Sequence, residues 1–245
     1  MSLPHRANLA ISAVAGAMAP FAHSPIGFWG LGLASVIAFW YSLHHSTTHK
    51  QATWVGFAYG LGYFGVGVSW VYVSMVSHGG THWLLGSIFT LLFCGAFALY
   101  YALLGALFSR FKNRHAYPSL LFIGLWLCLD LLRGWLFTGF PWLYLGYASL
   151  HTPMQGYAPI IGVHGVTLLM LVSALLIFGV QKKWPIRMLA LVSIWLIGYG
   201  LSFISWTVPS PQKPITVTLL QGNVKLSQKW LPSSLCTAAA AALRA

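Results

Sequence analysis

The sequence predicts an all-α polytopic membrane protein of about seven transmembrane helices, followed by the first strand of an incomplete β-containing domain. Three observations predict it. Hydrophobic residues make up 58% of the 245 and charged residues only 6%, where a soluble domain is about a quarter charged. Apolar runs long enough to cross about 30 Å of hydrocarbon recur along the chain. After residue 207 the composition changes to a proline-rich linker and an alternating apolar–polar segment.

The charge balance is one-sided. Asp130 is the only acidic side chain, Glu is absent, and 13 Lys and Arg give a net charge of +12. Thirteen cations spread over so apolar a chain do not form a phosphate-tracking face, so a nucleic-acid partner is excluded. Paired-carboxylate catalysis and carboxylate-rich metal sites are excluded within the chain for want of acids. Cys94, Cys128 and Cys236 include no CxxC pair, which leaves zinc and thioredoxin-like chemistry without support.

The spans are read at 7–22, 26–43, 52–77, 83–109, 118–137, 163–181 and 186–206, together forming a membrane domain over 1–207. The first resembles a cleavable signal peptide, with Arg6 before it and Ala17-Met-Ala19 as a small-residue site. Pro20 directly after that site argues for retention. The third carries Gly56, Gly60, Gly62, Gly65 and Gly67, the composition of a close-packing face, with a break expected near Gly65-Val-Gly67. Arg6, Lys50, the group Arg110, Lys112 and Arg114, and the group Lys182, Lys183 and Arg187 fall on alternate connections. Connections 23–25, 78–82 and 138–162 contain no Lys or Arg. Basic residues stay cytoplasmic, so the N-terminus is expected inside and the C-terminal segment outside.

Asp130 and Arg133 lie three apart on one face of the fifth span. An unpaired charge there costs roughly 2.5–3.5 kcal/mol on insertion scales. Two roles follow, a structural pair and an Arg133 that reaches a phosphate or a carbonyl, and they do not exclude each other. The outer segment after the span runs Phe137-Thr-Gly-Phe-Pro-Trp-Leu-Tyr-Leu-Gly-Tyr147. Its aromatics favour the headgroup level, and Pro141 with the glycines makes a re-entrant or interfacial loop. Trp70 and Tyr72 fall late in the third span. Together these aromatics read either as the entrance for a lipid chain or as an ordinary aromatic belt.

Other patterns carry less. His44, His45 and His49 lack a nearby carboxylate or Cys, which argues against a metal site. Gly67-Val-Ser-Trp70 begins like a nucleophile elbow, but Val71 stands where Gly is needed. His78-Gly-Gly80 reads as a turn. Beyond the spans, 208–230 comprises a linker, the alternating segment Ile215-Thr-Val-Thr-Leu-Leu220 and a turn at Gln221-Gly-Asn223. Residues 231–245 form an atypical low-complexity tail. One strand cannot stand alone, so the chain is expected to be truncated or frameshifted near residue 231.

Several of these segments together resemble the bacterial apolipoprotein N-acyltransferase family. They are Ser69-Trp-Val-Tyr-Val-Ser74 with Gly79-Gly80, Leu132-Arg-Gly-Trp-Leu-Phe-Thr-Gly-Phe-Pro-Trp142 with Leu145-Gly-Tyr147, Ala158-Pro-Ile-Ile-Gly162, and Leu220-Gln-Gly-Asn223 with Lys229-Trp230. Where the family usually has Glu, this chain has Asp130. The resemblance implies a multi-pass enzyme of the bacterial inner membrane with a periplasmic nitrilase-like (carbon–nitrogen hydrolase-like) α/β domain, whose first strand would be 215–220. It implies transfer of an acyl chain from a phospholipid donor to the N-terminal amine of a diacylglyceryl-cysteine lipoprotein acceptor. A Cys thiolate, helped by Glu and Lys, would carry the acyl group as a thioester, with no cofactor or metal.

Those catalytic residues belong to the nitrilase-like domain, and none of the three Cys stands before Tyr-Glu. No catalytic residue is therefore assigned, and the chain alone is expected to be inactive. The expected lipid- and lipoprotein-binding residues are Trp70, Tyr72, Asp130, Arg133, Phe140, Pro141, Trp142 and Tyr147. The alternative is a small multi-span transporter or lipid-binding membrane scaffold, against which stands the lack of an internal repeat.

Overall fold

The computed structural model describes residues 4–178, 184–208, 217 and 219. Among them the regular structure is helical throughout: α1 (His5–Met18), α2 (Trp29–His44), α3 (His49–Gly67), α4 (Trp70–Val73), α5 (Trp83–Phe111), α6 (Pro118–Trp135), α7 (Ala158–Phe178) and α8 (Trp184–Leu201). Of the expected strand at 215–220 only residues 217 and 219 are described, and the rest of it, most of the linker and the tail lie outside the described residues.

The chain divides into two compact units. The larger comprises the segments up to Ser69 and from Thr90 to Trp206. The smaller comprises Trp70–Phe89 with the residues from Thr207 on. Within the smaller, α4 runs into a π-helical turn at Ser74–His78. There Gly86 faces the Val76 side chain and the Tyr72 ring.

Among the described residues, four stretches are long and apolar enough to cross a membrane: Trp83–Arg114, Pro118–Thr138, Pro153–Phe178 and Trp184–Leu201. A fifth is added if His49–Gly67 and Trp70–His78 form one broken span. That break lies at Val68 and Ser69, just past the expected place, because α3 stays helical through Gly67. The first two expected spans are shorter as helices than as apolar runs. With 14 and 16 residues, α1 and α2 reach only about 21 and 24 Å. Ala19–Ala22 is instead a 3-10 turn with Pro20 at its start. Hydropathy counts such turn residues as membrane-compatible without knowing that they leave the helix.

α3 is the spine of the larger unit. A Cβ on Gly62 would meet the Ala13 backbone of α1, and α1 returns the contact through Gly16 against the Tyr59 backbone. On the side towards α5, a Cβ on Gly56 would meet the Tyr101 carbonyl and one on Gly60 would meet Ala98. Gly105 of α5 lies equally close to the Ala52 carbonyl. The glycine-rich run is thus a packing face on two sides, as its composition suggested. Buried hydroxyls tie α1 to α3 and α2 to α1. Ser12 donates to the Val55 carbonyl at 2.8 Å and Ser35 to the Ala15 carbonyl at 2.6 Å. Such bonds contribute about 0.6 kcal/mol each in a membrane protein.

The close approach brings an aromatic core together. Phe39 stacks on Tyr59 with centroids 4.0 Å apart. Tyr101, Phe122 and Trp126 meet Phe39 edge-on. At the end expected to face the cytoplasm, the Lys112 ammonium donates to the His44 and Ser46 carbonyls at 3.2 and 2.9 Å, closing the C-terminus of α2. Partial burial, then the charges of Lys112 and His45, hold the His44 imidazole below its ordinary value.

The glycine contacts predict a paired result in detergent unfolding. Gly56→Ala should cost about 1–3 kcal/mol through overpacking. Gly65→Ala, at an exposed helical position with open space around it, should be neutral or stabilising by up to about 1 kcal/mol. Equal melting temperatures for the two variants would contradict this packing.

Candidate functional site: a buried ion pair beneath an aromatic loop

α6 starts with Pro118 in its first turn, where a missing N–H costs nothing. Helical spacing then puts Trp126, Asp130 and Arg133 on one inward face with Phe122. Asp130 is 4% exposed and Arg133 2%. The Arg133 Nη2 donates to Asp130 Oδ1 at 2.9 Å. Trp126 Nε1 donates to the other carboxylate oxygen at 3.1 Å. A buried pair needs such additional bonds to offset desolvation. The shorter acid therefore still forms a direct bridge.

The second arm of Arg133 leaves the helix. Its Nη1 donates to the Trp142 carbonyl at 2.6 Å, so of the two expected partners, phosphate or carbonyl, it holds a carbonyl of its own chain. The guanidinium carbon lies 4.6 Å from the Tyr144 ring centre and 5.4 Å from that of Phe64, within cation–π range. Tyr144 donates its hydroxyl to the Asp130 backbone carbonyl at 3.1 Å.

These bonds shape the loop. Past Trp135 the backbone turns back sharply, with positive φ at Phe137 (53°), Thr138 (71°), Gly139 (84°) and Leu143 (62°). For the three non-glycine residues that region costs on the order of 1–3 kcal/mol each. The Phe140 N–H donates to the Arg133 carbonyl at 2.9 Å, and the Tyr63 hydroxyl donates to the Leu143 carbonyl. Gly139 has no alternative, because a Cβ there would strike the Gly134 backbone. The loop then continues as 3-10 turns at Leu145–Ser149 and Pro153–Tyr157. The backbone here is irregular, as Pro141 and the glycines predict.

Phe140 packs against Phe97 and Phe93 at 4.7 and 5.4 Å and stacks on Trp142 at 6.0 Å. Trp142 and Tyr147 stay 49% and 41% exposed, and Pro141, between Phe140 and Trp142, is also exposed. Trp70 and Tyr72 fall in the smaller unit, on α4. Six of the eight expected residues therefore lie on α6 and the loop that follows it, and these two lie in the other unit.

Beside the loop lies an open groove of about 610 Å³. Phe93, Phe97, Tyr100 and Leu103 of α5, Leu132 of α6 and Phe137 of the loop contribute to its almost wholly apolar wall. The α5 wall was not found from the sequence. Its members recur at helical spacing, but α5 is apolar all round, so periodicity marks no face. The groove can take a long apolar chain and offers no charged group to a polar one. Among the described residues, no group of three or more His, Cys, Asp or Glu is placed to hold a metal ion.

Residues 15–176 match the family model described as the apolipoprotein N-acyltransferase N-terminal domain, a range that includes the ion pair, the loop and the groove. The chain is similar to the apolipoprotein N-acyltransferase of Photobacterium profundum, at 39% identity over 92% of this chain and 44% of the relative. The Vibrio vulnificus protein of the same name is 40% identical over 95% and 46%. That of Nitrosomonas europaea is 40% identical over 93% and 45%. The chain spans about half the length of the curated relatives it matches.

The pair makes an ordered prediction for unfolding in detergent. Asp130→Ala leaves Arg133 buried without its counter-ion and should cost about 3–5 kcal/mol. The double change Asp130→Leu with Arg133→Met should cost less than that single one. A double variant less stable than Asp130→Ala would refute the pairing as the reason for burial.

Proposed function

Because the chain belongs to the apolipoprotein N-acyltransferase family, we propose that it is the membrane portion of such an enzyme and holds the lipid substrates for acyl transfer. The observation that carries this reading is the apolar groove, whose wall is completed by a loop fixed on a buried ion pair. An acyl chain of a phospholipid donor or of a diacylated lipoprotein acceptor fits such a lining, since burial of each methylene contributes about 0.8 kcal/mol. Phe140 forms the wall, while Trp142 and Tyr147 present half-exposed rings at the headgroup level. Asp130 and Arg133 act beneath the surface as positioning residues, and Pro141 fixes the backbone between Phe140 and Trp142. Trp70 and Tyr72 serve the smaller unit as interfacial aromatic anchors.

The same proposal sets the topology. Seven crossings of the bacterial inner membrane, with the N-terminus cytoplasmic, leave the segment after residue 206 periplasmic. The distribution of Lys and Arg over the connections supports this orientation. In the proposed reaction the acyl group passes through a Cys thioester to the lipoprotein amine.

Two measurements test the proposal. Phe140→Ala, Arg133→Met and Trp142→Ala, placed at the equivalent positions of an intact relative, should each raise KM for phospholipid or lower turnover by about tenfold. Unchanged kinetics in all three would remove the groove from the function. The 245-residue chain by itself has no Glu, and its one Asp is engaged by Arg133. Given phosphatidylethanolamine and a diacylated lipopeptide, it should yield no triacylated product by mass spectrometry. Triacylated product from the purified chain would show that it carries its own nucleophile and base.

A further inference from the structure

Phe93, Ala96, Tyr100 and Leu103 follow one another at spacings of three and four, so they form one stripe along α5. All four line the groove. From Phe93 to Leu103 the helix rises about 15 Å. A zigzag of carbon–carbon bonds of about 1.5 Å advances roughly 1.25 Å per carbon, so the stripe matches about twelve carbons of an extended chain.

The stripe is not uniform. Ala96 is its one small member, about 4.5 Å inward of Phe93 along the axis. The close-packed face of α5 is elsewhere: Ala98, Tyr101, Ala102 and Gly105 are the residues set against α3. Ala96 is exposed, so its missing side chain opens space in the groove and relieves no helix contact. Gly139, the other small residue of the wall, is small for its own backbone reason. Leu99 and Leu103 are 58% and 43% exposed, so the groove is open along its side. A chain can enter laterally from the bilayer, as that of a membrane phospholipid would.

We propose that Ala96 sets how deeply one acyl chain of a bilayer phospholipid enters this groove, with Leu103 at the inner end. Ala96 is then the specificity-determining position for chain length, and any larger side chain there shortens the site. This rests on the reading of the groove as an acyl-chain site and adds where along α5 the length is read.

The test uses the purified 245-residue chain in phosphatidylethanolamine nanodiscs. A trace of phosphatidylethanolamine carries a photoactivatable diazirine near the head of one acyl chain or, in a second preparation, about two-thirds of the way down it. Adducts are mapped by peptide mass spectrometry. The shallow probe should label the neighbourhood of Phe93 and Phe140, and the deep probe that of Leu99 to Leu103. Ala96→Trp should lower deep labelling by about tenfold while keeping the shallow label, which also reports an intact fold. Ala96→Leu should lower it by an intermediate amount and decides the matter if the Trp variant loses both labels. Groove labelling in the wild type with deep adducts unchanged in both variants would overturn the role of Ala96 and leave the groove reading standing. Labels spread evenly over α5 and α8 in the wild type would remove both. Deep adducts from a diazirine-bearing diacylated lipopeptide but none from the phospholipid probe would overturn phospholipid as the occupant.

Discussion

One buried ion pair organises the part of the larger unit around α6 and the loop that follows it. The chain has a single acid, so a guanidinium in an apolar helix has only one carboxylate it can meet. The match at i and i+3 on α6 removes both charges from hydrocarbon together. A guanidinium has five donors in a rigid fork, and the carboxylate occupies only part of it. The remaining capacity goes to the Trp142 carbonyl. That bond turns a local neutralisation into a long-range constraint, because the loop must fold back over α6 to supply the acceptor. Tyr144 completes the arrangement from the loop side, with its ring on the guanidinium and its hydroxyl on the Asp130 backbone.

Packing of the helices then decides where an open surface remains. α3 draws α1 and α5 to backbone distance through glycines, so the small residues of α5 are used on the side that meets α3. The opposite stripe of α5, from Phe93 to Leu103, carries mostly large side chains and faces the groove. An apolar surface in a membrane has no hydrophobic drive to close, because lipid tails are as apolar as the helices. Such a groove persists without partner helices where a water-soluble protein would collapse or fill it. This is why the larger unit can present an open apolar groove beside a tightly packed core.

The sequence revealed features that contrast with their surroundings. Asp130 and Arg133 were legible because charges in a span are rare, and the glycines of α3 because five of them fall within twelve residues. The irregular loop after α6 was legible from Pro141 and its glycines. Features without contrast were not. The ends of α1 and α2 fall inside apolar runs, and only backbone geometry separates helix from turn there. The groove wall on α5 is apolar among apolar neighbours. The bond from Tyr63 to the Leu143 carbonyl joins positions eighty apart, and neither residue announces the other. The break after α3 was placed near its true position because glycine weakens a helix, but the last helical residue depends on tertiary contacts such as that of Gly67 with Leu143.

The loop's strained backbone follows from the same constraints. Phe137, Thr138 and Leu143 hold left-handed conformations that an unconstrained chain would leave. They persist because the segment is tied at both ends of the turn, by the Phe140 N–H on the Arg133 carbonyl and by the Tyr63 hydroxyl on the Leu143 carbonyl. Relaxing these φ angles would pull against those two bonds. The outcome is that Phe140 sits against Phe93 and Phe97 at a fixed depth. A wall fixed by electrostatics on one side faces a helix whose side chains can vary freely on the other. Substitutions on the α5 stripe therefore reshape the groove locally, while changes at Asp130, Arg133 or Gly139 disturb the wall itself.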